Sequence, residues 1–221
     1  MEFIQTNTIS AVDIVRNALE SDIMRMHFAP GAKLTENDLS MRYGISRNTI
    51  REAVAHLLSQ GLLTKIANRG VFVRSFTVSD VEEIFHLRTL LELEAVNSII
   101  SARINPSDLY VLVERMEQTD RQTDWDSYVH DDILFHSSLV SAANSPRLSK
   151  LYETILTEVK LCIYQTRNYV QLPTATNNSH RQLLDAICAH DLHQSLELMQ
   201  THIENVIKRY CSGLIAMGQA E

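Results

Sequence analysis

Asp132 and His136 stand four residues apart in the segment DDILFHSSL. On a helix that spacing puts both side chains on one face. Asp131 is the poorer partner, because five residues of helix separate it from His136 by about 140°. Two further histidines occupy helix-like segments, His180 at the start of HRQLLDAI and His202 within MQTHIENV. A carboxylate and three imidazoles from three helices can converge inside a bundle. That donor set suits a borderline divalent ion, Zn2+ or Ni2+, and leaves coordination positions open to water or a ligand oxygen. The competing reading is four boundary residues satisfied by ordinary hydrogen bonds.

Arg88 raises a second chemical question. Its helix directs Ile84, Leu87, Leu91 and Ala95 inward, and Arg88 falls among them. A half-buried guanidinium needs an anion. Glu92, one turn on, is the internal candidate, and the carboxylate of a small ligand is the functional one. A third set lies near the N-terminus. Arg47 and Arg51 share a helix face, with Asn48 and Thr49 beside them. Arginine at the start of a helix is the side chain that takes both acceptors of a guanine edge in the major groove.

The elements that must hold these residues can be read from caps and spacing. Ile9, Val12, Val15, Leu19, Ile23 and Met26 step by threes and fours along a first helix, ended by Pro30-Gly31. Thr35 caps a short second helix that Gly44 stops, and Ser46 caps a third carrying Ile50, Val54, Leu57 and Leu58. Two helices joined by Tyr43-Gly44-Ile45 form a helix-turn-helix. Segments 62–66 and 71–74 flank a turn near Gly70, giving a hairpin wing with Arg69 and Gly70 at its tip. Beyond a connector at 74–80, Ser79 and Glu82 predict a capping box that opens a helix over 80–102. Further starts fall at Pro106-Ser107, Ser145-Pro146 and Asn177-Asn178-Ser179, predicting an antiparallel bundle of six or seven helices.

Composition supports a mainly helical chain. Of 221 residues, 45% are hydrophobic, and only six glycines and four prolines are present, too few for a protein built on tight turns. Residues 1–75 hold nine Lys/Arg against seven Asp/Glu, whereas 76–221 hold eleven against twenty. The sequence therefore predicts two modules, 1–75 and 76–221, of which only the first has a charge balance suited to nucleic acid. No apolar run is long enough for a membrane span, and charges at Asp13, Arg16 and Glu20 break any signal-peptide core. Three widely spaced cysteines read as reduced thiols, so the expected location is the cytoplasm.

The segment from Leu34 to Val73, with GISRNTIREAVAHLLSQGLL and NRGVFV, resembles the winged-helix domain of GntR-type bacterial transcription regulators. Two positions depart from it: Asn37 where the family often has Arg, and Thr49 where it commonly has Pro. The stretches DILFHSSLVSAANSPRL, HRQLLDAICAHD and LELMQTHI resemble the FadR-type ligand-binding domain, the FCD domain. That resemblance implies a metal site made of Asp132, His136, His180 and His202. It also places Arg88, within LRTLLELEA, where an effector-binding arginine occurs. It further implies a homodimer on a palindromic double-stranded operator, controlled by a small organic acid. Two rivals remain open: a constitutive DNA-binding protein with a purely structural metal site, and a metalloenzyme.

Overall fold

A computed structural model of the chain describes residues 10–170 and 179–218. Ile9 of the first helical stripe and Asn177-Asn178 of the predicted helix start lie outside the described residues. The chain divides between Ser75 and Phe76 into two compact units.

In the first unit, α1 (Ala11–Met24) is capped by Ser10 and buries Val15, Leu19 and Ile23 against α3. It stops six residues before Pro30-Gly31, because Met26 turns left-handed at φ 59° and ends the ladder. Thr35 caps α2 (Glu36–Tyr43), accepting from the Asp38 backbone N–H. Gly44 closes α2 at φ 67°, a conformation that costs glycine nothing. Ser46 then caps α3 (Arg47–Ser59), whose Ile50, Ala53, Val54 and Leu57 are buried. The turn is locked by the Ser40 hydroxyl, which donates to the Ile45 carbonyl at 2.6 Å. Asp22 ties α1 to α2, accepting from Arg42 at 2.9 Å and from Tyr43 at 2.8 Å.

The wing is a hairpin of β2 (Leu63–Ile66) and β3 (Gly70–Val73), with Lys65 opposite Val71. A third strand not foreseen in the sequence, β1 (Lys33–Leu34), pairs antiparallel with β3, giving the order β1-β3-β2. Two residues are too short to carry a period of two.

The second unit is a helical bundle. It comprises α4 (Val78–Ser101), a short 3-10 turn at Ser107–Leu109, α5 (Tyr110–Gln118), α6 (Trp125–Ala142), α7 (Pro146–Thr166), α8 (Ser179–Cys188) and α9 (Leu192–Ala216). Central to it, α4 packs on α6, α7 and α9. The capping box at its start is Thr77 with Asp80, not Ser79 with Glu82. Both frames satisfy the motif, and the earlier one also lets Val81 reach the core. The inward stripe likewise differs from expectation. Leu87 is 42% exposed, while Arg88 and Glu92 are buried between Ile84, Phe85 and Ala95. Two opposite charges that satisfy each other can occupy core positions where either alone could not.

Candidate functional site

Asp132 and His136 project from α6, His180 from the first turn of α8 and His202 from α9. One ligand atom from each lies within 4.8 Å of all the others. The His180 Nε2 is 3.1 Å from Asp132 Oδ1 and 3.3 Å from His136 Nε2. Donors held 2.0–2.1 Å from one ion stand about 2.8–3.4 Å apart between octahedral and tetrahedral angles. The two measured separations fall in that range, so the residues present fit a divalent ion. Phe135 packs edge-on against the rings of His136 and His180, fixing their planes.

Electrostatics favour the ligating protonation states. Burial holds the His136 imidazole below the usual histidine range, against the pull of Glu92, and holds His202 well below it. Burial would raise the Asp132 carboxyl, but the nearby histidines and Arg88 outweigh it and keep Asp132 ionised. His136 and His202 therefore offer neutral nitrogens and Asp132 an anionic oxygen, as a metal requires.

Beneath the cluster lies Glu92 on α4, which is fully buried. Its Oε1 accepts from Arg88 Nε at 2.6 Å and from the Tyr152 hydroxyl at 2.6 Å. Its Oε2 lies 2.7 Å from His136 Nδ1. Burial would raise this carboxyl, but Arg88 and His136 hold it far below the ordinary range. An ionised carboxylate only accepts, so the His136 proton sits on Nδ1 and the Nε2 lone pair faces the cluster. Sequence reasoning had named Glu92 only as an alternative partner for Arg88. The i, i+4 spacing carried that much, but its bond to His136 joins residues 44 apart.

Arg88 has Glu92 as its ion-pair partner, the internal candidate. It also lines a cavity of about 240 Å³ together with Asp132, His180 and His202. Arg209, Asn205 and Thr201 of α9 form part of the same wall.

In the first unit, Arg47 and Arg51 leave the exposed face of α3. Arg47 donates to Asn37 Oδ1 at 2.7 Å, so the residue that departs from the family pattern supports a neighbouring arginine. Arg51 makes a two-pronged contact with Glu36, at 2.8 and 2.7 Å, and approaches Asn48 at 3.4 Å. These contacts tie both guanidinium groups to the first turn of α2. Thr49 lies with its hydroxyl 2.9 Å from the capping Ser46, which gives it a role in closing the helix end. Arg69 is exposed at the wing tip over the Phe72 ring, and Gly70 supports the turn at φ 114°.

A winged helix-turn-helix in one unit and a helical bundle in the other define a transcription regulator of two modules. Residues 12–73 match the model for bacterial regulatory proteins of the gntR family, and residues 83–205 match the FCD domain. The chain belongs to the GntR family of bacterial regulators, in the branch that carries an FCD domain. It is 26% identical over 212 residues to the HTH-type transcriptional regulator BphR of Paraburkholderia xenovorans, covering 91% of this chain and 85% of that one. It is 24% identical over 191 residues to the gluconate operon transcriptional repressor of Bacillus subtilis, covering 80% and 78%. A GntR transcriptional regulator from Rhodococcus sp. RHA1 has a similar structure, with a TM-score of 0.77 at 28% identity over 90% of this chain and 96% of that one. These relatives are regulators and not enzymes, which removes the metalloenzyme reading. Among the described residues no helix is long and apolar enough to cross a membrane.

Proposed function

We propose that this chain is a metabolite-responsive repressor that binds a palindromic operator as a homodimer, with a metal-assisted site for a small organic acid in its helical domain. The observation that carries the reading is the convergence of Asp132, His136, His180 and His202, with Asp132, His180 and His202 lining a cavity that Arg88 lines as well. Asp132, His136, His180 and His202 would hold Zn2+ or Ni2+. The bound ion would supply positive charge and a coordination position suited to an anion. Arg88 keeps nitrogens beyond Nε for a carboxylate. The likeness to a gluconate operon repressor supports repression.

On the DNA side, Arg47, Asn48 and Arg51 read base edges from the N-terminal end of α3. Arg69 and Gly70 place the wing against the backbone, and Thr49 shapes the helix end. One such module buries too little surface for specific binding, so two half-sites and two copies are required. A second reading is favoured by one observation: Arg88 already has a partner in Glu92. In that reading the cluster is structural and DNA binding is constitutive. Native mass spectrometry of the purified chain, followed by operator titration with and without the acid found, separates them. A co-purifying metal and acid that shift operator affinity support sensing. A metal that alters only thermal stability supports the structural reading.

A further inference from the structure

The cavity beside the histidine cluster holds a charge that nothing above has used. Arg209, half-buried on α9, lines it together with Arg88. Among the described residues no carboxylate lies within ion-pairing distance of Arg209. It acts on the phenols of both Tyr128 and Tyr210, and those same phenols are pushed up first by burial and also by Asp132. Arg209 and Asp132 line the same cavity. Arg209 follows His202 by seven residues, two helical turns, on the same face. Long helical side chains lean toward the helix N-terminus, which carries the guanidinium back toward the His202 turn.

Charge counting then constrains the ligand. Arg88 and Arg209 balance Glu92 and Asp132, and the imidazoles are neutral when they ligate. A divalent ion would leave two positive charges unbalanced in a partly enclosed space, where excess charge is costly. We infer that the effector is a short aliphatic dicarboxylate, one carboxylate at the metal and Arg88 and the second on Arg209. The inference rests on the metal and carboxylate reading above and adds the second acid group. Size agrees: a volume of about 240 Å³ accommodates about eight groups of water size. Diacids of four to six carbons have about eight to ten non-hydrogen atoms, which places them at this limit.

The test is calorimetric titration of the full chain, loaded with Zn2+ and freed of excess metal. The probes are succinate, glutarate and adipate against butyrate, valerate and hexanoate, the matched monoacids. At least one diacid should bind roughly tenfold or more tighter than its monoacid, the worth of a hydrogen-bonded charge pair. In Arg209→Gln that ratio should fall toward one, while Arg209→Lys should retain part of it. Elemental analysis of each variant checks that metal content is unchanged. Equal affinity for matched acids, or a ratio that survives Arg209→Gln, overturns the inference and leaves the carboxylate reading standing. If no acid of either series binds the zinc-loaded chain, both fall together.

Discussion

Replacing Glu92 by glutamine tests how the metal centre is organised. The amide has one acceptor oxygen, and two donors, Arg88 Nε and Tyr152 hydroxyl, already converge on the Oε1 position at 2.6 Å each. The carbonyl therefore takes that position, and the NH2 group faces His136 Nδ1. A donor there favours the imidazole tautomer with its proton on Nε2, the nitrogen that should ligate. Loss of such an outer carboxylate typically lowers metal affinity 10–100-fold. The same substitution removes the ion-pair partner of the buried Arg88, a loss of about 3–5 kcal/mol. For a chain of this size that is a melting point lower by roughly 6–20 °C. Scanning calorimetry of the metal-free variant measures the second effect. Competition for Zn2+ against a chromophoric chelator near neutral pH measures the first, with circular dichroism confirming that the variant is folded. Zinc affinity within about twofold of the parent, in a folded variant, would refute the argument that Glu92 sets the His136 tautomer.

Four further outcomes are expected. Arg51→Ala should weaken operator binding about five- to 150-fold if its base contact is bidentate, and Arg47→Ala/Arg51→Ala should abolish sequence preference in a competition gel shift. Normal operator binding by a folded double variant would exclude α3 as the reading helix. Arg69→Ala should weaken binding to all sequences alike and reduce the slope of log affinity against log salt by about one. An unchanged slope would show that Arg69 touches no phosphate. His180→Ala and His202→Ala should each lose bound metal by elemental analysis, and full occupancy in both would dismiss the cluster. The metal-free chain should lose stability on acidification. Unfolded imidazoles gain protons below the ordinary histidine value of 6.5, which buried His136 and His202 resist. The unfolded state then binds more protons, so the melting point should fall as pH drops from about 6.5 toward 5. A flat melting profile over that window would contradict the burial of these rings as neutral groups.

Much of this was legible before any coordinates, and the reasons are local. Thr35, Ser46 and Ser145 each cap the helix their spacing announces, because a cap is a contact across three residues. Asp132 and His136 were readable as a pair for the same reason. The errors came where local rules gave two answers or none. Thr77-Asp80 and Ser79-Glu82 are overlapping frames of one motif, and only packing of the following turn chooses between them. The end of α1 is set by a left-handed methionine, which composition does not announce. The Glu92 network joins α4, α6 and α7 across 44 and 60 residues, a separation at which sequence spacing carries no geometric information. Arg209 passed unnoticed because a surface-type residue near the end of a helix has no local signature of lining a cavity.

The bonds on Glu92 bear on how quickly the site can respond. Arg88, His136 and Tyr152 tie three helices together through protein groups alone. His136, and with it Asp132 on the same helix, is thereby held in place by contacts that need no ion. A zinc finger, by contrast, must fold around its metal and releases it only by unfolding. An ion held by this cluster would exchange without such disassembly. The centre can therefore equilibrate with the surrounding metal supply on the timescale of side-chain and loop motion. On the proposed reading, metal occupancy would then be a second input alongside an organic ligand.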